Sequence, residues 1–310
     1  MTSYKFDTKW PEGLQGSWRL PGIKVPGPTC YAKATLQVIN HTPELVNYFV
    51  NSTCDCKKDG CYHCLMKEYA EQLISCQRKK DPVQPEKLLQ AVFRDSGELK
   101  KGKKGDADEL LMHLAAKLED RNKKSVIEEV FNTKTATVLK CKSCGWEKRQ
   151  VVDCNLTLDK GDVTEMLREW RKEKECDVKR TCDKCGEKRD FTEKNVIDAS
   201  PHVLKIRLVD YFGAKKTTSF PAKISIGPFM GNDSASDEVY ELYAVVVFRR
   251  NHFFAHCRDP SGEWNTYESK KFMKSSLEDV LKSDPYSLYY RRAPGKKDEV
   301  SRNDVKEENL

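Results

Sequence analysis

Cys30 is the residue in this chain whose type and setting most suggest chemistry. It stands in GIKVPGPTCYAKATLQVI, residues 22–39. Glycines and prolines exclude regular structure there up to about Pro28, after which Tyr31, Ala34, Leu36, Val38 and Ile39 suit a helix with one apolar side. With Thr29 as N-cap, Cys30 falls in the first turn, where free backbone N–H groups and the positive end of the helix dipole favour thiolate over thiol. This stretch alone fits a reactive nucleophile and, more readily, a buried packing thiol. A nucleophilic cysteine needs an imidazole to hold and move the proton, and a third group to fix that imidazole. Six histidines are present. His41 and His113 lie in helical segments with ordinary neighbours, His63 sits among cysteines, and His202 follows Pro201 at the start of a strand. His252 and His256 occupy RRNHFFAHCRDPSGEWNTYES, where a short loop feeds a strand and a Pro-Ser-Gly turn returns the chain in a second strand bearing Glu268. Such a hairpin can set a carboxylate beside an imidazole. The two histidines are four apart and share one side of the strand, so composition does not choose between them.

The remaining chemistry lies in cysteine pairs. LKCKSCGWEK carries Cys141 and Cys144, and TCDKCGEKRD carries Cys182 and Cys185. Both are CxxCG, a spacing at which one tight turn presents two sulfurs to one ion while the following Gly145 or Gly186 permits the turn. Two such knuckles supply four thiolates, a closed tetrahedral set suited to structural zinc. The 37 residues between Cys144 and Cys182 exceed those of a compact ribbon, so the knuckles would close a large insertion. A second cluster, STCDCKKDGCYHC, holds Cys54, Cys56, Cys61, His63 and Cys64. Its CxC spacing is less regular, and a second zinc or a set of packing thiols both fit it. Cys154 and Cys176 read as packing thiols.

These residues must be positioned by an α+β scaffold: helices first, a cysteine-bearing middle from about Asp120 to Ile197, then strands. DADELLMHLAAKLED places Ala107, Leu110, Leu111, Leu114 and Leu118 at helical spacing, with Asp106, Asp108 and Glu109 in the first turn. VLKIRLVDYF alternates Leu204, Ile206 and Leu208 with Lys205, Arg207 and Val209, and YELYAVVVF, HFFAHC, EWNTYES and PYSLYYRR follow as strands of an antiparallel sheet. The tail from residue 293 to 310 is charged, without apolar periodicity, and is expected to be disordered. The net charge of +7 is the difference of 55 basic and 48 acidic residues, so both signs are dense and a nucleic-acid role gains little support. LKKGKK, residues 99–104, lacks interleaved aromatics and reads as a solvated loop. No apolar run approaches membrane-spanning length, and the N-terminus lacks a signal-peptide core, so a soluble protein of the cytoplasm or nucleus, acting as a monomer, is expected. Thirteen cysteines, mostly in short-spaced pairs, point to metal ligation and catalysis before disulfides.

Taken together, these stretches resemble the ubiquitin-specific proteases, which are papain-like cysteine peptidases. GIKVPGPTCYAKATLQVI resembles the family's cysteine box (GLxNxGNTCYMNSxLQ), and GDADELLMHLAAKL its QQDAxEFL helix. The CxxC knuckles resemble its zinc-bearing fingers. SPHVLKIRLVDYF resembles LPxVLxIxLxRF, and TTSFPAKISI the FP segment that follows it. YELYAVVVFRRNHFFAHCRDPSGEWNTYES resembles the histidine box, and PYSLYYRR the closing AYxLFYxR. Seven boxes in the family's order cover about residues 20–292. The resemblance implies a hand, with a thumb at about 20–130, fingers at about 131–198 and a palm at about 199–292, after an extension at 1–19. It implies that the hand grips ubiquitin and leads its C-terminal tail between thumb and palm. Carried over by position, Cys30 is the nucleophile, His252 the general base, and Glu268 stands at the first aspartate of WYxFDD with Ser269 at the second.

Four departures accompany the resemblance. Val25 replaces an asparagine that helps hold the oxyanion, and the backbone N–H of Cys30 is the donor that remains. Glu268 is one methylene longer than aspartate and is expected to fold back to reach His252. Gly105 replaces a glutamine, and the loop before His252 shortens to FRRN. Two functions follow: a thiol isopeptidase acting at the C-terminal glycine of ubiquitin or a related modifier, or a catalytically impaired protein that binds the modifier. Retention of both Cys30 and His252 argues for the first, Val25 and Glu268 for the second.

Overall fold

The periodicity of the first 130 residues becomes a lobe of six helices. The structure is a computed structural model that describes residues 6–54, 56, 60–120, 124–154, 156–210, 218–231, 238–268 and 271–293. The expected tail, beyond residue 293, and Ser269 lie outside the described residues. The helices are α1 (Cys30–Asn40), α2 (Pro43–Asn51), α3 (Tyr62–Lys79), α4 (Glu86–Asp95), α5 (Ala107–Lys117) and α6 (Val126–Phe131). α5 begins where its carboxylates predict: Asp106 caps it by accepting from the N–H groups of Asp108 at 2.7 Å and Glu109 at 3.3 Å. α1 differs from its expected one-sided character. It is covered nearly all round, packed against α5 and α2 as well as the sheet behind it. Two of its buried polar side chains donate to distant backbone: Thr35 to Ala107 O at 2.8 Å and Gln37 to Pro21 O at 3.0 Å.

The cysteine-bearing middle is a second body. It comprises β1 (Thr133–Cys141), β2 (Glu147–Cys154), β3 (Leu156–Asp159), α7 (Val163–Arg171), the two-residue strands β4 (Lys174–Glu175), β5 (Arg180–Thr181) and β6 (Lys188–Arg189), and β7 (Phe191–Ile197). Four of these form an antiparallel sheet in the order β2-β1-β7-β4, and β5 pairs β6 as a separate hairpin. The two CxxCG turns sit at the ends of the β1–β2 and β5–β6 hairpins, so the sequence gap between them folds back on itself and both knuckles arrive at one place.

The last third supplies β8 (Val203–Val209), β9 (Lys223–Ser225), β10 (Val239–Arg249), β11 (His252–Arg258), β12 (Trp264–Glu268), β13 (Lys271–Ser275), the short helix α8 (Leu277–Leu281) and β14 (Pro285–Arg292). The large sheet runs β13-β12-β11-β10-β14-β8-β3, with β9 on β10. It is antiparallel except at one edge, where β3 pairs β8 in parallel. That strand comes from the cysteine-bearing stretch. Leu156 and Leu158 return it to the core containing Ile206 and Leu208, with Val163 and Leu167 of α7 behind them.

Both faces of the sheet are covered, which is why β10 reads as a nearly continuous apolar run. Ala244 and Val246 face the helical lobe; Tyr240, Leu242, Val245 and Val247 face the opposite core. Lys205, which alternation assigned to a polar side, is therefore fully buried. It faces the helices, and its Nζ lies 3.0 Å from Asp108 Oδ1, while Arg207 Nε lies 2.8 Å from Asp108 Oδ2. α5 is thus tied to β8 by charge as well as by apolar packing.

Candidate active site

Cys30 is the first residue of α1, after Thr29, as the sequence predicts, although Thr29 makes no side-chain cap. The thiol is half-buried against the helical core, against which Val25 also packs. α1 packs on β11 and β12, the strands that carry His252 and Glu268. Ala255 pairs with Tyr267, which puts Glu268 one step further along and diagonal to His252. Diagonal neighbours on a strand pair stand about 7–8 Å apart, a span the longer glutamate bridges: Oε1 lies 3.0 Å from His252 Nε2. This contact is an ion-pair approach without hydrogen-bond alignment. An imidazole whose Nε2 faces a carboxylate presents Nδ1 for proton transfer.

His256, two pleat repeats further along the same face, is held differently. It is buried, its Nδ1 meets Thr266 Oγ1 at 2.8 Å, and burial drives its pKa down to about 4. A neutral imidazole fixed by a hydroxyl suits packing rather than proton transfer.

The shortened loop before His252 is a two-residue turn. Arg249 pairs directly with His252, and Arg250 and Asn251 both take positive φ, 50° and 61°. The glycine at 105 also has a local reason: a Cβ there would come within 2.8 Å of the Tyr31 ring and 2.7 Å of Leu99 Cδ2. Tyr31 occupies the space a side chain at 105 would need.

Two features of the site carry no signal in the sequence alone. Lys33, one turn along from Cys30, is half-buried; burial pulls its ammonium down while Cys30 pulls it up. A cation one turn from a thiolate favours the thiolate. His41, whose sequence neighbours look ordinary, is wholly buried and paired with Asp259, 218 residues away, at 3.1 Å.

Two groups of four cysteines could hold a metal ion: Cys141, Cys144, Cys182 and Cys185, and Cys54, Cys56, Cys61 and Cys64. In each, the four sulfurs lie within 4.8 Å of one another. A tetrahedron with Zn–S of about 2.3 Å has S···S edges of about 3.8 Å. Cys144 and Cys182 stand at 3.7 Å, Cys54 and Cys61 at 3.8 Å, Cys56 and Cys64 at 3.5 Å. In the first group Gly145 and Gly186 turn the chain at φ 69° and 73°, and Cys185 N–H donates to Cys182 Sγ at 3.4 Å. Against burial, the N–H groups of Cys144 and Ser143 pull the Cys141 thiol down to about 7. In the second group Cys61 is the N-cap of α3 and Cys64 lies in its first turn, where burial and the neighbouring cysteines push its thiol up to about 12. Cys176 is half-buried beside the first group, 3.7 Å from Glu193 Oε2; the side chain of Cys154 lies outside the described residues.

The model of the ubiquitin carboxyl-terminal hydrolase family matches residues 21–290. The chain belongs to that family. Among its relatives, the hydrolase 17-like protein D of Mus musculus is 24% identical across 88% of this chain and 56% of its own length. Ubiquitin carboxyl-terminal hydrolase 25 of Arabidopsis thaliana is 25% identical across 94% and 50%. The chain thus spans about half the length of these curated relatives. Among solved structures, the SAGA DUB module Ubp8/Sgf11/Sus1/Sgf73 bound to ubiquitin aldehyde superposes with a TM-score of 0.73 at 19% identity, covering 94% of this chain and 72% of that one. The module bound to monoubiquitin gives 0.78 at 20%, covering 92% and 71%. The fold is that of a ubiquitin carboxyl-terminal hydrolase: helical thumb, fingers with a four-cysteine knuckle, and sheet palm.

Proposed function

We propose that this chain is a thiol-dependent deubiquitinase that hydrolyses the isopeptide or peptide bond at the C-terminal glycine of ubiquitin. The observation that carries the reading is the approach of His252 Nε2 to Glu268 Oε1 at 3.0 Å on strands packed against the helix that begins with Cys30. Glu268 orients the ring and steadies its charged form; His252 takes the Cys30 proton, leaving a thiolate at a helix N-terminus. The sulfur attacks the glycine carbonyl, the C–N bond breaks, and His252 returns the proton to the leaving amine. Water then attacks the thioester with His252 as base, releasing the carboxylate and the thiol. Val25 offers no donor to the oxyanion, and loss of one such donor costs on the order of a hundredfold in turnover. Turnover slower than an asparagine at that position would give is therefore expected. The solved relatives that carry monoubiquitin or ubiquitin aldehyde support ubiquitin as the modifier.

The test is a ubiquitin bearing a C-terminal thiol-reactive group, read by intact mass. One adduct is expected in the wild type, none in Cys30→Ala, and strongly slowed labelling in His252→Ala. Folded protein that binds ubiquitin without forming an adduct would mean a binding module instead.

Both cysteine groups fit structural zinc by donor set and spacing, and closed four-thiolate sites add stability, not chemistry. We place the protein in a reducing compartment, the cytoplasm or nucleus, where such thiolates persist. Native mass spectrometry should show two zinc ions per chain, one after Cys182→Ser/Cys185→Ser and one after Cys61→Ser/Cys64→Ser. A single zinc in the wild type would leave the helical-lobe group as packing thiols.

A further inference from the structure

Proton transfer between Cys30 and His252 requires two side chains on different elements to be placed to a fraction of an ångström, and a misplacement of about 1 Å costs on the order of a hundredfold. α1 is 11 residues long, about 16 Å, with Cys30 at one end and His41 as its C-cap. A tilt of α1 by about 4° about the His41 end would move Cys30 by about 1 Å. Whatever fixes His41 therefore fixes the nucleophile.

His41 is held by a closed set of bonds. Nδ1 donates to Gln37 O at 2.7 Å within α1 and Nε2 to Asp259 Oδ1 at 3.1 Å. Two acceptors on one ring require both nitrogens to be protonated, so the pair is an imidazolium and a carboxylate, each side chain fully buried. The cation also faces the negative end of the α1 dipole. Asp259 follows β11 directly and accepts three more bonds: from Leu20 N–H at 2.7 Å, Tyr267 O–H at 2.6 Å and Asn265 Nδ2 at 2.7 Å. Asn265 also donates to Trp18 O at 2.9 Å. Asn265 and Tyr267 lie on β12, and Glu268 is the next residue. One carboxylate thus joins the C-terminal end of the nucleophile helix, the segment at 18–20 that leads toward Cys30, and both strands of the hairpin that carries His252 and Glu268. Burial alone would drive the proton off His41, but Cys257 and Asp259 beside it outweigh that and hold it on.

We propose that the buried His41–Asp259 pair is the positioning element that sets Cys30 against His252. The proposal rests on the reading of Cys30 and His252 as the reacting pair. A buried ion pair adds little stability over apolar packing; its use is to specify one arrangement, and here it specifies how α1 lies on the hairpin.

The experiment is alkylation of Cys30 by iodoacetamide across pH, followed on the Cys30 peptide by mass spectrometry, in the wild type and in His41→Gln, Tyr267→Phe and His41→Gln/Asp259→Asn. Ubiquitin takes no part in the alkylation, so that outcome is separate from that of the ubiquitin probe, which is run beside it on the same variants. In folded His41→Gln the alkylation rate of Cys30 at neutral pH should fall below that of the wild type. The rate of probe adduct formation at saturation should fall on the order of a hundredfold, with half-saturation unchanged. Tyr267→Phe keeps the ion pair and the ring packing, and should give a smaller shift in the same direction. The double variant, a neutral amide pair, should recover part of the loss. An unchanged profile in folded His41→Gln and Tyr267→Phe overturns the proposal. So does a loss confined to half-saturation of the ubiquitin probe.

Discussion

Two imidazole–carboxylate pairs meet at the β11–β12 hairpin. His252 and Glu268 approach to 3.0 Å with 39% and 53% of their side chains exposed; His41 and Asp259 approach to 3.1 Å with neither exposed at all. The chemical groups and the separation are nearly the same, so the surroundings decide what each pair does. His252 and Glu268 are part-exposed, so both side chains have room to move. Around Asp259 four donors and a sealed core surround the carboxylate. On the proposed reading, reactivity and rigidity stand side by side on one hairpin, each in the environment it needs.

Breaking each pair from its acidic side gives the largest contrast. Asp259→Ala leaves a buried imidazolium without a partner and strands the Tyr267 O–H and one N–H of Asn265, while Leu20 N–H keeps the Tyr267 hydroxyl at 2.9 Å. A loss of about 3–5 kcal/mol in denaturant unfolding is expected. Glu268→Ala should change stability by no more than about 0.5 kcal/mol, being half in water, while slowing probe labelling. If Asp259→Ala cost as little as Glu268→Ala, the two pairs would not differ in the way their burial implies.

The histidines also set limits on pH from opposite sides. In the fold, burial lowers His256 to about 4, so protons bind the unfolded chain first as pH falls. The stability His256 contributes is present above about 6.5 and is lost on the way down through 4, amounting to about 3 kcal/mol. His41 is raised, so its contribution is full below about 6.5 and is lost only as pH rises through its folded value. Unfolding free energy measured from pH 7 to 4 should fall in the wild type and fall less in His256→Asn. Equal slopes would mean that other groups carry the acid loss.

The candidate reacting residues stand in local patterns: a Gly/Pro break before a helix for Cys30, a hairpin carrying His252, His256 and Glu268, and CxxCG turns for the knuckles; between the two histidines only the family resemblance chose. The residues that hold them stand in no such pattern. Asp259 reaches His41 across 218 positions, and Lys205 meets Asp108 only because a helix covers its face of the sheet. Neither pairing leaves a periodic trace. Lys205 obeys the two-residue alternation and still goes inside, since both faces of the palm are covered. Cys54, Cys56, Cys61 and Cys64 show the same limit: their spacing is irregular, and the start of α3 brings them together. β3 edges the palm, and its four residues, two leucines alternating with Thr157 and Asp159, carry no sign of which sheet they will join.

The smallest expected effect tests whether the cage or the turn places His252. Arg250 and Asn251 occupy the positive-φ positions of a two-residue hairpin turn, immediately before His252. An arginine at φ 50° carries a strain that asparagine, which bonds its own backbone, largely escapes. Arg250→Asn should raise stability by about 0.5–1 kcal/mol. If the turn governed where His252 stands, relaxing it would alter the rate of Cys30 labelling along with stability. If the bonds around Asp259 govern it, β11 is already fixed at its far end and against α1, and the labelling rate should stay within about twofold. A rate change beyond tenfold would move the positioning role from the buried pair to the turn. Unchanged kinetics with raised stability would leave it with His41 and Asp259.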